Sequence, residues 1–173
     1  MSDIAPGWAW LRAFDAEVSK SLPLSESARW LLDAHATFES GWGASRAFRK
    51  GFNFANITAG PYWHGATFVD VGGDTEYKPG NPTPHTITQV WRVYPTLGDA
   101  IEDYWAFLGW PRYVAARNCM EQGDVAGFVG ALHDGGYFTE PPALYFQGMQ
   151  ATLHKVTSTL RGPPPDPTPP LAA

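Results

Sequence analysis

The sequence predicts an α+β fold that is mainly helical, with a small antiparallel β lobe flanking a cleft. Apolar residues recur with helical spacing before residue 40 and again from residue 96 onward. Between these regions, residues 66–94 are rich in β-branched and aromatic side chains and contain the turn signals GG and PGNPTP. A chain of 173 residues is long enough for one domain with a buried core.

Two amphipathic helices are predicted before the β lobe. The first covers residues 6–19 and places four apolar side chains on one face: Trp8, Leu11, Phe14 and Val18. Ser25 is the predicted N-cap of the second helix, and the GWG motif at residues 41–43 is predicted to end it. The apolar face of that helix includes His35, and Glu39 follows four residues later on the same face. The carboxylate of Glu39 is therefore predicted to lie on a helix face that is expected to be buried.

The β lobe is predicted from three runs, residues 66–71, 74–78 and 85–94, which the GG and PGNPTP turns separate. Helical spacing then resumes. Thr96 and Asp99 resemble a capping box, and an apolar stripe follows at Leu97, Ala100, Ile101, Tyr104 and Leu108. Two or three further helices are expected after this one.

The two ends of the chain carry little signal for structure. Residues 162–173 are too rich in proline to pack and are predicted to be a flexible tail, so the folded domain is expected to cover residues 1–161. The first 20 residues show no basic segment followed by an apolar one, and no run is long and apolar enough to span a membrane. We therefore expect neither a standard secretion signal nor a membrane span.

Composition excludes several classes of function. The net charge is -5 and no Lys/Arg run occurs, which is unlike a nucleic-acid-binding protein. A lone cysteine, Cys119, cannot form an internal disulfide. His35 and Glu39 have a spacing that can ligate metal, but nothing in the sequence completes a coordination shell. The aromatic fraction of 14% instead suits a surface that packs against sugar rings.

Glu39 is the candidate for chemistry. A glutamate at a helix end on a cleft wall is partly desolvated, which raises its pKa, and a protonated carboxyl can donate to a leaving glycosidic oxygen. The flanking glycines permit a sharp turn and close approach of a substrate, and Trp42 offers an apolar wall. The alternative is a solvated glutamate at a fraying helix end, and this stretch alone leaves both possibilities open.

The chain resembles the peptidoglycan N-acetylglucosaminidases of glycoside hydrolase family 73, which include flagellar-rod muramidase domains and many bacterial autolysins. Six blocks carry the resemblance in the same order: FESGWGAS, NFANITAG with Trp63, TEY, WRVYPTLGDAIEDYWAFL, RYVAA and GGYFTEP. They lie within about residues 24–160 of the chain. The resemblance implies a lysozyme-like fold, which agrees with the α+β prediction made from the sequence pattern.

The resemblance also implies roles for individual residues. Glu39 matches the catalytic acid, and Glu76 matches a second acidic residue carried by the β lobe. Tyr137 matches a tyrosine near the acid that helps to hold or polarise the N-acetyl sugar. By residue type alone, Glu76 is typical of a solvent-facing strand position and Tyr137 of a packing position. Substrate contacts are expected from four residues: Asn53, Trp63, Trp42 and Thr139. No metal or cofactor is implied.

The chain departs from the family pattern at two places. Asn56 stands where the usual asparagine-leucine-phenylalanine-glycine block has its glycine, which predicts a reshaped loop. Glu140 replaces the customary aspartate, and the segment that leads to the next tyrosine is longer than usual. Sugar contacts near the second of these loops are expected to differ from those of the family.

The expected function is cleavage of the β-1,4 bond between N-acetylglucosamine and N-acetylmuramic acid in peptidoglycan, with Glu39 as general acid. In the second step, either Glu76 activates a water, or the acetamido oxygen of the substrate attacks while Tyr137 and Glu76 stabilise the intermediate. A muramidase or lytic transglycosylase of the same fold, and a glycan-binding module without turnover, stay open as alternatives.

The expected partners are the glycan strands of peptidoglycan, and the chain is expected to act as a monomer. Its place of action would be the cell wall or periplasm. In the absence of a recognisable secretion signal, the expected routes are phage-type release or specialised secretion.

Overall fold

Seven helices and two strands make up the part of the chain that the computed structural model describes, residues 6–76 and 83–162; of residues 72–76 and 83–87 it describes the main chain only. The two strands form an antiparallel sheet. The predicted fold class is confirmed. In chain order the elements are α1 (Trp8–Ser21), α2 (Glu26–Ser40), α3 (Arg46–Gly51), β1 (Thr67–Glu76), β2 (Thr83–Arg92), α4 (Leu97–Leu108), α5 (Val114–Gln122), α6 (Val125–Asp134) and α7 (Pro142–Arg161).

Helix α2 runs through the centre of the domain. Helices α1, α5 and α7 pack around it, so that it is buried on most sides. Its buried residues include polar as well as apolar ones: Ala28, Leu31, Leu32, Asp33, Ala34, His35, Ala36, Thr37 and Ser40. Glu39 lies in the last turn of this helix, where the core gives way to the surface.

Both ends of α2 follow the prediction. The side chain of Ser25 accepts a hydrogen bond from the main-chain N–H of Ala28 at 3.3 Å. Gly41 ends the helix in the left-handed conformation, with φ of 57°. At Gly43 any side chain is excluded, because φ is 78° and a Cβ atom would lie 2.2 Å from Trp10. The two glycines thus turn the chain sharply beneath Glu39.

The predicted core face of α1 was wrong at one position. Trp10 is fully buried with Leu11, Phe14 and Val18, whereas Trp8 is 42% exposed. Trp10 precedes Phe14 by four residues and Val18 by eight, so it completes the buried stripe better than Trp8 does. Trp8 begins the helix and packs edge-on against Trp42, with the ring centroids 4.6 Å apart.

Within the described residues, the β lobe is one long antiparallel pair of strands, β1 and β2, where three runs were predicted. Its register runs from Thr67 opposite Arg92 to Glu76 opposite Thr83. The GG pair, predicted as a turn, lies inside β1 opposite Ile87 and Thr86, so the first two predicted runs form a single strand. Glycine is uncommon in strands, but both residues keep the extended ladder here.

The base of the hairpin is joined to the loop that follows α3. Main-chain hydrogen bonds connect Ala59 with Val90 and Arg92 with Ile57, at 2.7 and 3.2 Å. The loop is therefore held beside β2. This arrangement fixes the position of residues 53–57, which lie close to the end of α2.

The helices after the hairpin close the core. Thr96 and Asp99 form the predicted capping box of α4. The predicted apolar stripe of this helix is buried: Leu97, Ala100, Ile101, Tyr104 and Leu108. Three more helices follow, as expected. The predicted proline-rich tail lies, apart from Gly162, outside the described residues. None of the described helices combines the length and apolar character needed to cross a membrane.

Candidate active site

A cleft of about 740 Å³ opens between the helical part of the domain and the base of the hairpin. Glu39 lies in its wall. The other walls come from the loop after α3, from β2, from α4 and from the segments after α4 and α6: Ala55, Asn56, Ile57, Thr58, Gly60, Pro61, Tyr62, Trp63, Gln89, Trp91, Arg92, Asp103, Phe107, Trp110, Arg112, Tyr113, Gly136, Tyr137 and Phe138. The predicted cleft between two lobes is thus present, with many aromatic residues in its walls.

The side chain of Glu39 is mostly buried, at 13% exposure, and both of its carboxylate oxygens accept hydrogen bonds. Tyr145 donates to Oε1 at 2.5 Å, and the amide nitrogen of Asn56 donates to Oε2 at 2.9 Å. Burial raises the pKa of the carboxyl, and nearby Glu140 raises it further, whereas the two donors lower it. Burial is the largest of these effects, so the pKa of Glu39 is higher than usual.

A buried chain of hydrogen bonds leads from Glu39 into the core. Nε2 of His35 lies 2.9 Å from the hydroxyl of Tyr145, and Nδ1 lies 2.9 Å from the hydroxyl of Tyr104. The single proton of Tyr145 is used on Glu39, so Nε2 of His35 must carry a proton and donate to Tyr145. Burial lowers the pKa of His35 to about 3, so the ring is neutral at physiological pH. Nδ1 therefore accepts from Tyr104.

The loop that carries Asn56 is held rigidly by Asn53. The side-chain amide of Asn53 donates to the carbonyl oxygens of Ile57 and Arg92, and its oxygen accepts from the N–H of Ile57 at 2.9 Å. Asn53 is almost fully buried and does not line the described cleft. Its hydrogen bonds connect the loop to β2 and so hold the loop in place, and its predicted contact with substrate stays a prediction.

A second polar cluster lies on the cleft wall beside the hairpin. Nη1 of Arg92 donates to Oδ2 of Asp103 at 2.7 Å, and the hydroxyl of Tyr94 donates to the same oxygen at 2.7 Å. The guanidinium carbon of Arg92 lies 4.9 Å from the ring centroid of Trp63 and 5.8 Å from that of Trp110. Trp63 therefore lines the cleft, and Arg92 is held next to it.

Tyr137 also lines the cleft, but its hydroxyl proton is engaged. It donates to the carbonyl oxygen of Ala55 at 2.5 Å. Burial raises the pKa of Tyr137, which keeps the hydroxyl protonated at neutral pH. The hydroxyl was expected to point at the N-acetyl group of the sugar. In the structure it holds the carbonyl of Ala55, the residue that precedes Asn56, and the contact with the sugar stays a prediction.

Two predicted site residues lie outside the cleft, and the side chain of a third is outside the described residues. Trp42 packs against Trp8, and Thr139 is exposed; neither lines the described cleft. Glu76 is the last residue of β1, opposite Thr83, and its side chain lies outside the described residues. The structure therefore brings Glu39, Trp63 and Tyr137 together at one cleft.

Two groups of site residues were missed by the sequence analysis. Tyr145 lies in a helical stripe with Met149 and Val156, and this spacing predicts burial without indicating a contact with Glu39. Arg92 and Asp103 are buried and half-buried charges 11 positions apart. A charged residue in a run as apolar as VWRVY is the signal that could have indicated this pair, because buried charges require partners.

The described residues offer no obvious place for a metal. No group of three or more His, Cys, Asp or Glu side chains comes together in that part of the chain. His35, considered above as a ligand with Glu39, directs both ring nitrogens at tyrosine hydroxyls. The distance from its Nε2 to Oε1 of Glu39 is 3.8 Å, too long for a hydrogen bond.

Comparison with known families gives a match over most of the chain. The model described as Glucosaminidase, mannosyl-glycoprotein endo-β-N-acetylglucosaminidase, matches residues 28–158. This range begins in α2 and ends in α7, and it includes every described residue of the cleft. A comparison with curated proteins found no match.

Several solved structures share the fold. A peptidoglycan hydrolase mutant from Sphingomonas sp. A1 is 25% identical, with a TM-score of 0.68 over 89% of this chain and 98% of that one. The C-terminally truncated glycoside hydrolase domain of FlgJ from Salmonella typhimurium is 22% identical, with a TM-score of 0.58 over 87% and 95%. The catalytic domain of the autolysin Auto from Listeria monocytogenes is 16% identical, with a TM-score of 0.61 over 91% and 90%.

The FlgJ and Auto matches are too low in sequence identity to show more than the fold. The family model, in contrast, covers most of the chain and includes the acid-bearing end of α2. The chain therefore belongs to the glucosaminidase family, glycoside hydrolase family 73, as the order of its motifs predicted, and it is a glycoside hydrolase.

Proposed function

We propose that this enzyme cleaves the β-1,4 bond between N-acetylglucosamine and N-acetylmuramic acid in peptidoglycan, with Glu39 as the general acid. One observation carries the proposal: Glu39 lies in the wall of an open cleft, is mostly buried, and has a raised pKa. A carboxyl in this state retains its proton closer to neutral pH than an exposed one does. The peptidoglycan hydrolase from Sphingomonas sp. A1 supports this choice of substrate.

In the first step, Glu39 transfers its proton to the glycosidic oxygen as the bond from that oxygen to the anomeric carbon breaks. The electron pair of the bond stays with the oxygen, so the leaving sugar departs with a hydroxyl group. Glu39 becomes a carboxylate. Tyr145 and Asn56 already donate to its two oxygens, and these hydrogen bonds stabilise the new negative charge without rearrangement.

In the second step, positive charge at the anomeric carbon is removed by one of two routes. A water can attack directly, with Glu76 accepting its proton, or the acetamido oxygen of the substrate can form a cyclic intermediate that water then opens. In the second route, Glu39 can accept the proton of the water and so return to its starting state. Both routes end in a free reducing sugar.

The cleft walls suit a glycan strand. Trp63 presents an apolar ring in the loop after α3, and Trp110 presents another across Arg92. Aromatic walls with a few fixed polar groups are typical of sites that bind small organic groups, including sugars. Arg92 and Asp103 provide the fixed polar groups, because each is held by the other.

This substrate would place the action of the enzyme at the cell wall or in the periplasm. We also propose that it acts as a monomer, since Glu39, its two donors and all the described cleft walls come from one chain. Light scattering of the purified enzyme tests the oligomeric state.

The experiment that tests the function is mass spectrometry of fragments released from purified peptidoglycan. Fragments ending in a reducible N-acetylglucosamine support the proposal. Fragments ending in reducible N-acetylmuramic acid would indicate a muramidase. Fragments ending in N-acetylmuramic acid with an intramolecular anhydro ring would indicate a lytic transglycosylase. If strands bind to the protein but no fragment is released, the chain is a glycan-binding module and the proposal is wrong.

A further inference from the structure

The side chain of Asn56 contacts Glu39 at two points. Its amide nitrogen donates to Oε2 of the carboxylate at 2.9 Å and to the main-chain carbonyl oxygen of Glu39 at 3.0 Å. We propose that Asn56 is a positioning residue that holds the general acid in place and sets the upper pH limit of catalysis. This inference rests on the proposed function, in which Glu39 is the acid.

The second contact fixes which way the amide of Asn56 points. A main-chain carbonyl oxygen can only accept a hydrogen bond, so the atom of Asn56 that faces it must be the nitrogen. The same nitrogen faces Oε2, and therefore Glu39 receives an N–H rather than a carbonyl oxygen. A donor at this position stabilises the carboxylate form over the protonated acid.

The main chain holds Asn56 in an uncommon conformation. Its φ is 50°, in the left-handed region that favours glycine and tolerates asparagine. Neighbouring residues keep the loop in place: Asn53 bonds to Ile57 on one side, and Tyr137 bonds to the carbonyl of Ala55 on the other. Asn56 therefore reaches Glu39 from a rigid support.

Several other titratable groups surround Glu39, and two of them, Tyr145 and Glu140, shift its pKa. Tyr145 donates to the opposite oxygen, and Glu140 raises the pKa by its charge. The groups that face Glu39 from α2, α4, α7 and the segment after α6 are His35, Tyr104, Tyr137, Glu140 and Tyr145. Deleting the amide of Asn56 removes none of these groups.

The direction of the pH effect follows from the donor. Because the hydrogen bond from Asn56 favours the carboxylate, it lowers the pKa of Glu39, and its removal raises that pKa. A general acid must be protonated to act, so kcat/KM falls as the pH rises through this pKa. Without the amide, that fall should occur at higher pH.

Asn56→Gly and Asn56→Ala test the proposal as a matched pair. Both delete the amide, but glycine accepts the left-handed backbone and alanine does not, so only Asn56→Ala should lower the Tm appreciably. Both should reduce kcat about tenfold and move the alkaline fall of kcat/KM upward by roughly half a pH unit or more. All assays are run below the lower of the two Tm values.

Two readouts separate this inference from the proposed function. Fragment release by the unsubstituted enzyme tests the function. NMR titration of the Glu39 carboxyl, in the unsubstituted enzyme and in Asn56→Gly, measures its pKa. This measurement tests the inference even if no fragment is released. A higher pKa in Asn56→Gly supports the inference. An unchanged pKa overturns it, as does an active Asn56→Gly enzyme with the original kcat and pH profile.

Discussion

The hydroxyl of Tyr145 donates a hydrogen bond to Oε1 of Glu39 at 2.5 Å, although 106 positions separate the two residues in the chain. Tyr145 lies near the start of α7, and Glu39 lies at the end of α2. The packing of α7 against α2 therefore completes the environment of the acid. The hydrogen-bond environment of the acid is therefore complete only when α7 is packed against α2.

This contact also determines the direction of the two hydrogen bonds that join Tyr145, His35 and Tyr104 in the core. Tyr104 donates to Nδ1 of His35, and Nε2 of His35 donates to Tyr145. Each hydroxyl and ring nitrogen in this chain has a partner, as buried polar groups require. We infer that the neutral ring of His35 keeps the hydroxyl of Tyr145 pointed at Glu39.

We predict that Tyr145→Phe lowers kcat by about tenfold or more and lowers the Tm. The loss removes one donor from Glu39 and leaves the Nε2 proton of His35 without its acceptor, which costs roughly 1–3 kcal/mol in a buried site. The pKa of Glu39 should rise, so the alkaline fall of kcat/KM should move to higher pH. Kinetics across pH and thermal unfolding measure the two effects.

Tyr104→Phe is the control for that prediction. It removes a hydroxyl from the other side of His35 without removing a donor from Glu39. It should lower the Tm by a similar amount but shift the pH profile less. If both variants shift the profile equally, the contact between Tyr145 and Glu39 has no special role.

We predict that Glu39→Gln retains the fold and loses roughly two orders of magnitude or more in turnover. Glutamine has nearly the same size and can still accept from Tyr145, but its amide protons are not acidic enough to be transferred to a glycosidic oxygen. Release of reducing ends from peptidoglycan and the Tm of the variant measure the two parts. Near-normal turnover in this variant would remove Glu39 from the mechanism.

The local structure around the acid could be predicted from sequence because short-range signals specify it. Ser25 and Gly41 cap the ends of α2 through hydrogen bonds to residues within one turn, and Thr96 with Asp99 does the same for α4. The buried stripe of α4 follows from helical spacing alone. In each case the residues that decide the structure are neighbours in the chain.

The partners of the acid could not be predicted, because the packing of distant elements brings them together. Asn56 and Tyr145 reach Glu39 from 17 and 106 positions away. At Asn56, the departure from the family motif indicated a changed loop but not the new hydrogen bond. The GG pair of β1 is misleading for a related reason: glycine permits a turn, and only the pairing with β2 keeps these residues extended.

We predict that Glu76→Ala slows catalysis while the Tm changes little. Glu76 ends β1 at the last pair of a two-stranded sheet, where a single side chain contributes little to stability. Asp70→Asn, which neutralises another carboxylate of the same strand, is the control. Turnover equal to that of the unsubstituted enzyme in Glu76→Ala would show that Glu76 is neither the base nor a stabiliser of the intermediate.

We predict that Tyr137→Phe lowers kcat with little change in KM. The lost hydroxyl holds the carbonyl of Ala55, next to Asn56, so the alkaline fall of kcat/KM should shift upward, as is also expected for Asn56→Gly. Steady-state kinetics on a soluble muropeptide oligomer across pH is the measurement. A lower kcat without the pH shift would mean that the hydroxyl acts on the sugar itself, and a higher KM alone would make Tyr137 a binding platform.

The last prediction concerns a buried carboxyl far from the chemistry. Asp33 is fully buried in α2, and its carboxyl group lies beside that of Asp15. Burial, and then the charge of Asp15, raise the pKa of Asp33 well above its usual value. Ionisation of Asp33 is therefore disfavoured in the folded state relative to the unfolded one.

The sign of the pH dependence follows from linkage. Below the unfolded pKa of about 4, Asp33 is protonated in both states and has no effect on the free energy of unfolding. As the pH rises from there toward the folded pKa, the unfolded state releases the proton first, so folded stability is lost.

Asp33→Asn cannot ionise, and it should match the unsubstituted protein near pH 4 but become the more stable of the two toward pH 8. Urea unfolding at several pH values measures this, with Asp134→Asn, at an exposed position, as the control. Parallel stability curves for Asp33→Asn and the unsubstituted protein would show that Asp33 ionises as easily folded as unfolded.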